Sequence, residues 1–293
     1  MPLTTPWCEQ LGIDVPIVNA PMGGAAGGRL AAAVSRAGGL GMVGMGSSAT
    51  DEQLTAELAL VDGLDRPFGV GLVHWVMAAQ PRMLDTALAA GPAMVCVSFG
   101  ADWSWVGPVR AAGVTAATQV ATVAAGCRAV DAGVEVLVAR GAEGGGHGEP
   151  RLGTLPLLTE LLDTVDVPVL AAGGIASARG LAAVLAAGAS GAWLGTVFSA
   201  CAEAATDPAA REALLAADGA DTALTRVFDL AHGYAWPAHL PERVLTDPAG
   251  EPTPVNAGQG VGMVTGSESA ARLIARLCSG AEELLSVWRP DQC

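Results

Sequence analysis

Val167-Pro168-Val169-Leu170-Ala171-Ala172-Gly173-Gly174-Ile175-Ala176-Ser177 passes from an apolar run, through a glycine turn, into a helix-like segment at Ala178–Ala187. Gly188 follows, and then a second apolar run, Ala192–Phe198. A short apolar run, a turn, an Ala-rich helix and a closing glycine describe one strand–helix–strand unit. Glycine just past the helix takes the left-handed conformation that satisfies the last carbonyls. Two strands joined through such a helix lie parallel, with a right-handed crossover.

The same beat repeats on the N-terminal side. Strand-like runs fall at Val15–Asn19, Gly41–Met45, Phe68–Val73, Ala93–Phe99, Thr115–Val120 and Val134–Ala139, besides Val167–Ala171 and Ala192–Phe198. Helix-like segments lie between them, near Arg29–Ala37, Asp51–Val61, Pro81–Ala90, Ser104–Ala112, Val123–Ala132 and Leu155–Val165. This rhythm predicts an α/β fold, a (β/α)8 TIM barrel. An open doubly wound sheet is the alternative, because periodicity does not show closure. The chain has 293 residues, against about 250 for a typical barrel. After Phe198 the rhythm breaks. Ala200–Ala217 reads as helix, Asp229–Gly262 as a long loop, and Ser267–Val287 as a terminal helix with Ser267 as N-cap. We therefore expect residues 1–200 to form the barrel and 201–293 a C-terminal extension of helices and loop packed on it within the same domain. That extension is also the expected surface of a homodimer.

Composition narrows the function. Hydrophobic residues make up 51 % and charged residues 15 %, which suits a large core and excludes disorder. The net charge is −14, and all basic residues are Arg. Such a surface repels nucleic acid and anionic membranes, so an anion site has to be built locally. Six cysteines are scattered without a CxxC pair, so neither a structural metal nor a disulfide framework is expected, and the reading is a reduced, cytoplasmic protein. The charge-free stretch Leu181–Ala202 is long enough to span a membrane. Its glycines make it helix, turn and strand instead.

In a barrel, catalysis sits at the C-terminal strand ends, and phosphate binds after the last two strands. Gly173-Gly174 and Gly195-Thr196 occupy those places, so a phosphorylated ligand or cofactor is expected there. After the sixth strand comes Gly141-Ala142-Glu143-Gly144-Gly145-Gly146-His147-Gly148. A histidine on a glycine-rich strand end can offer an imidazole to the mouth as a proton-transfer group. Glu143 either orients His147 or caps a backbone turn. After the first strand, Pro21-Met22-Gly23 offers backbone on which a flat ligand could lie, or makes a plain turn.

Taken in order, these motifs resemble one family. Ala20-Pro21-Met22, Leu30–Gly41, Gly141–Gly148, Pro168–Ala176 and Leu194–Phe198 are similar to the signatures of nitronate monooxygenases, formerly called 2-nitropropane dioxygenases. The resemblance implies an FMN-dependent oxidoreductase that converts a small nitroalkane or nitronate and dioxygen into a carbonyl compound and nitrite. It implies Pro21, Met22 and Gly23 behind the flavin ring, and Gln119 reaching its polar atoms. Gly145, Gly146, Gly173, Gly174, Gly195 and Thr196 would hold the phosphate, with His147 as base. Two departures concern the substrate. Gly148 and Glu149 follow His147 where a basic residue is frequent. His74 stands where many members carry an amide, and it becomes a flavin contact, a second acid–base group or a packed mouth residue. Trp75, Trp103, Trp105, Tyr234 and Trp236 wall a substrate cleft, or serve as lid packing or interface. His232 and His239 are not expected to be catalytic. The alternatives are an FMN-dependent NAD(P)H reductase of a quinone, enone or enoyl-thioester, and a flavin-binding regulatory barrel without turnover.

Overall fold

A computed structural model describes residues 3–287. Eight parallel strands form the central sheet: β1 (Ile17–Asn19), β2 (Gly41–Gly44), β3 (Phe68–Val73), β4 (Met94–Ser98), β5 (Thr115–Val120), β6 (Val136–Arg140), β8 (Val169–Ala172) and β9 (Gly191–Leu194). The intervening β7 (Gly146–His147) lies outside it. The pairing order is β1-β9-β8-β6-β5-β4-β3-β2. A parallel bridge between Val18 and Leu40 brings β2 back to β1, and the Leu40 N–H donates to the Ile17 carbonyl at 2.9 Å. The sheet is therefore a barrel and not an open sheet.

The seam is short, and a side chain completes it. Asn19 is fully buried. Its carboxamide oxygen accepts from the Met42 N–H, and its amide nitrogen donates to the Met42 carbonyl, each at 2.9 Å. One side chain thus replaces a peptide unit of the missing ladder, and leaves no strand edge unpaired at that point.

The strands are buried on both faces, as the apolar runs require. One cluster joins Val18, Met42, Met94, Val138, Leu170 and Trp193 to Trp7 and Cys8 of the helix Pro6–Leu11. The Thr5 hydroxyl donates to the Ser190 carbonyl just before β9, so that helix closes the N-terminal end of the barrel. The other cluster lies between strands and helices. The terminal helix Ala270–Ser286 buries Leu273, Ile274 and Leu277 and packs on the helices Ala178–Ala186 and Gly28–Arg36.

The structure departs from the sequence expectations after β9. The eighth barrel strand stops at Leu194, and Thr196–Ser199 is a short helix. The expected helix over Ala200–Ala217 is confined to Pro208–Ala216. Pro208 is suited to a first helical position and unsuited to the turns before it. The expected loop Asp229–Gly262 contains β11 (Glu242–Thr246) and β12 (Pro252–Asn256). With β10 (Thr222–Thr225) and β7 they form a second, antiparallel sheet. The N-cap of the terminal helix is Ser269, whose side chain accepts from the Arg272 N–H, and not Ser267. Leu181–Ala202 resolves into helix, strand and short helix, and no helix among the described residues is long and apolar enough to cross a membrane. Cys8, Cys96, Cys127, Cys201 and Cys278 are free thiols, and Cys293 lies outside the described residues.

Asn19→Ala would leave the Met42 N–H and carbonyl unpaired in the core. Each buried unsatisfied group costs about 1–3 kcal/mol, so for the two groups a loss of about 2–6 kcal/mol is expected in urea unfolding. An unchanged midpoint would show that the seam does not depend on this side chain.

Candidate active site

A cavity of about 730 Å³ opens at the C-terminal ends of the strands. Its size is that of a cofactor or small-ligand site. Pro21 enters its wall at the end of β1 because Gly44 and Gly71 lie behind it: a methyl group on either would overlap the proline. Met22 follows, its sulfur 3.1 Å from the Ser199 hydroxyl. Gly23 completes this part of the wall. Gln119, at the end of β5, is held by hydrogen bonds between its backbone and side-chain nitrogens and the Ser98 hydroxyl.

The opposite part of the wall is largely bare backbone. Gly145, Gly146, Gly173, Gly174 and Gly195 all line it, with Thr196. Gly173 and Gly174 have φ of 114° and 68°, a conformation open to glycine. The Thr196 hydroxyl accepts from the Gly258 N–H at 2.9 Å, which ties the extension to this rim. A polar cradle of this kind fits a phosphate, and the flat wall around Pro21 and Met22 fits a ring system.

Arg140, the last residue of β6, was not anticipated. It is buried and lines the cavity. One guanidinium nitrogen donates to the carbonyls of Gly144, Gly145 and Gly146 at 3.0, 3.1 and 3.0 Å. Burial lowers its pKa to about 10, helped by Arg243 and opposed by Glu143, so it stays charged near neutrality. A charged residue ending an apolar strand was the signal available in the sequence.

The glycine loop held by Arg140 leads into β7, which pairs antiparallel with β11 and sets His147 opposite Glu242. His147 Nε2 lies 3.0 and 2.9 Å from the two carboxylate oxygens of Asp229, on the helix Val227–His232. The Trp236 ring stacks on the imidazole, with centroids 3.5 Å apart and planes 3° from parallel. Burial lowers the His147 pKa, Arg140 adds to that, and Asp229 opposes both. Glu242, with a buried Oε1 that has no hydrogen-bond partner, is raised to about 7, by burial first and by Asp229 second.

Glu143 does not orient His147. Its carboxylate accepts from the Thr154 N–H and hydroxyl and so caps the helix Thr154–Leu162. The orienting carboxylate is Asp229, 82 positions away, and no local pattern links the two. Tyr234 and Trp236 line the cavity. Trp75 does not. It stands behind them, 5.8 Å edge-on from Trp236 and 6.4 Å from Tyr234. His74 also lies outside the lining, packed against Gly100 with Nε2 3.7 Å from Asp102. Trp103 and Trp105 pair with each other at 6.3 Å, away from the cavity. Phe99 takes φ of 70°, the one non-glycine residue with positive φ among those described. Its ring meets Trp236 edge-on at 5.0 Å, so the strained backbone at the end of β4 buttresses the residue that stacks on His147.

Comparison with known proteins follows the same lines. The family model described as nitronate monooxygenase matches residues 5–90 and 74–235. The (3aS,4S,5R,7aS)-5-hydroxy-7a-methyl-1-oxo-octahydro-1H-indene-4-carboxyl-CoA dehydrogenase of Rhodococcus jostii is 32% identical, over 92% of this chain and 72% of that protein. A nitronate monooxygenase of Paraburkholderia phytofirmans is 33% identical, over 70% of this chain and 69% of its own. Among solved structures, FabK from Thermotoga maritima superposes with a TM-score of 0.87 at 26% identity, covering 97% of this chain and 98% of its own. A nitroalkane oxidase from Streptomyces ansochromogenes gives 0.83 at 28% identity, over 96% of this chain and all of its own.

Arg140→Met would free three carbonyls and remove the charge that organises the loop. Hydrogen bonds to a charged group contribute about 1.5–3 kcal/mol each, so a loss of at least about 2 kcal/mol is expected in urea unfolding. Faster amide hydrogen exchange over residues 144–147 should accompany that loss of stability. Exchange unchanged there would mean that the loop holds its shape without the guanidinium.

Proposed function

Because this chain belongs to the nitronate monooxygenase family, we propose that it holds FMN in the barrel mouth and oxidises small nitroalkanes, with His147 as the base that takes their α-proton. The chain is an oxidoreductase. The observation that carries the finer reading is the His147–Asp229 pair in the wall of a glycine-lined cavity. Pro21, Met22, Gly23 and Gln119 would contact the flavin ring. Gly145, Gly146, Gly173, Gly174, Gly195 and Thr196 would surround its phosphate. When bound, the flavin supplies the two-electron chemistry, with dioxygen as the final acceptor.

The protein's own part is proton transfer and charge placement. The Asp229 carboxylate accepts a hydrogen bond from the Nε2–H of His147 and so leaves Nδ1 with the free lone pair. Burial keeps the imidazole neutral, which is the form a base requires. The α-proton of a nitroalkane passes to Nδ1, and the resulting imidazolium is paired with Asp229. Negative charge grows on the nitro oxygens in a cavity whose wall carries the Arg140 cation, which needs no reorganisation to stabilise it. Products are a carbonyl compound and nitrite.

A second reading rests on the Rhodococcus relative, which is named as a dehydrogenase of a carboxyl-CoA ester and matches over 92% of this chain. The proton beside a thioester carbonyl is acidified for the same reason as one beside a nitro group, and the same base serves both. The test is anaerobic. The purified yellow protein is mixed separately with an alkyl nitronate, an acyl-CoA, NADH and NADPH. Bleaching by the nitronate alone supports nitronate oxidation. Bleaching by acyl-CoA supports the second reading, and bleaching by a nicotinamide alone replaces both with a reductase.

Removal of a general base costs about 10²–10⁴-fold. His147→Ala should lower kcat/KM for a neutral nitroalkane by that factor with flavin retained, and undiminished turnover would exclude His147 as base. In the wild type, kcat/KM should fall on the acid side, as a proton occupies Nδ1, with the midpoint below the ordinary imidazole value of 6.5. Asp229→Asn removes a group that raises this pKa, so the acid limb should move further down. A limb unmoved by that change would separate Asp229 from the titrating group.

A further inference from the structure

The same wall presents a second set of ligands. The donor atoms of His147, Asp229 and Glu242 all lie within 4.8 Å of one another. Their convergence has a structural cause. Antiparallel pairing of β7 and β11 sets Glu242 directly across from His147, and the helix Val227–His232 delivers Asp229 from a third element. Asp229 and Glu242 are only 3 % and 6 % exposed. Glu242 Oε1 is buried and makes no hydrogen bond. Two carboxyl groups and an imidazole crowded in this way leave an acceptor unsatisfied and set any charge on Glu242 against that of Asp229, a costly arrangement unless a cation joins them. The groups that face them are Arg140 beside His147 and His232 beside Glu242.

We propose that His147, Asp229 and Glu242 form a binding site for a divalent transition-metal ion, of which Zn²⁺ is the probe. One imidazole nitrogen and two carboxylates suit zinc, manganese or iron, and are poorly matched to magnesium, which prefers oxygen alone. All three residues line the cavity, so a bound ion keeps positions open to water. The metal takes the place of the proton between His147 Nε2 and Asp229. The single proton of the neutral imidazole then resides on Nδ1, and Nδ1 becomes a donor. A metal at this site therefore switches the base off and makes it a point of inhibition.

The site itself does not rest on the proposed reaction, but its effect on turnover does, and the two are measured separately. The flavin-loaded protein is titrated with ZnCl2 by calorimetry in a non-chelating buffer. One equivalent should bind, and that event should be lost in both Glu242→Gln and Asp229→Asn. Identical titrations in wild type and both variants overturn the site. Anomalous scattering at the zinc edge from soaked wild-type crystals decides the matter if a variant does not fold. A peak about 2.0–2.1 Å from His147 Nε2 is expected, and no peak there overturns the proposal. With the site occupied, turnover of a neutral nitroalkane should fall about tenfold or more, while a preformed nitronate, which needs no deprotonation, is spared. Zinc bound at the site with neither substrate slowed leaves the site standing and removes His147 from the chemistry.

Discussion

A full positive charge at the end of an otherwise apolar strand constrains the whole mouth of this barrel. Arg140 is taken out of water by the strands around it, and it remains ionised because the carbonyls of Gly144, Gly145 and Gly146 turn inward to it. Hydrogen bonds to a charged group are worth about 1.5–3 kcal/mol each, enough to fold a glycine-rich loop that has little conformational preference of its own. The loop's composition follows from that demand: a side chain on Gly148 would overlap the guanidinium. Once the loop is wrapped on Arg140, its exit direction is fixed, and Gly146 and His147 meet β11 as a strand. Arg243, next to Glu242 on β11, donates to the Ala142 carbonyl at the start of the same loop. The two arginines thus hold both ends of the segment that carries His147.

How much of this was legible in the sequence depended on the range of the interaction. Strand and helix alternation is a local property, and the eight barrel strands, the glycine closures and the cradle at Gly173-Gly174 follow from it. The seam was not legible, because Asn19 acts on Met42 through tertiary geometry and looks like any polar residue ending a strand. The second sheet was missed for a related reason. Prolines and glycines dominate Asp229–Gly262 in composition, yet Glu242–Thr246 finds partners on both sides, and pairing overrides the local signal. Asp229 was hidden most completely. It is brought to His147 only because the extension folds back over the mouth, and Glu143, four residues away, offered a closer carboxylate that proved to be a helix cap.

The extension supplies part of the cavity wall as well as cover. Its Trp236 stacks on His147, fixes the plane of the imidazole and excludes water from one face. Its indole N–H donates to the Ser47 hydroxyl at 2.8 Å, so the tryptophan is anchored to the loop after β2 on the far side of the cavity. Trp75 and Phe99 meet the same ring edge-on. The aromatic residues therefore form one packed unit whose innermost member faces the histidine. Trp75 contributes to the site from behind this layer, which is why a cleft position read from the sequence placed it one layer too far forward.

The electrostatics of this mouth favour a substrate that arrives neutral. The chain carries a net charge of −14, and the buried carboxyl groups of Asp229 and Glu242 stand beside His147, so an anion approaching the cavity meets a repulsive field. Inside, the order changes. Arg140 is buried close enough to His147 to lower its affinity for a proton, and Asp229 holds the ring at Nε2. On the proposed reading, a neutral nitroalkane would cross this field without cost and would become an anion only after giving its proton to the imidazole. On that reading the charge would appear on the substrate in a cavity lined by Arg140, while the proton would appear on a ring paired with Asp229. Separation of charge between two preplaced opposite charges is what the protein would contribute to the proposed reaction, and the arrangement comes from one folding event, the wrapping of a glycine loop around Arg140.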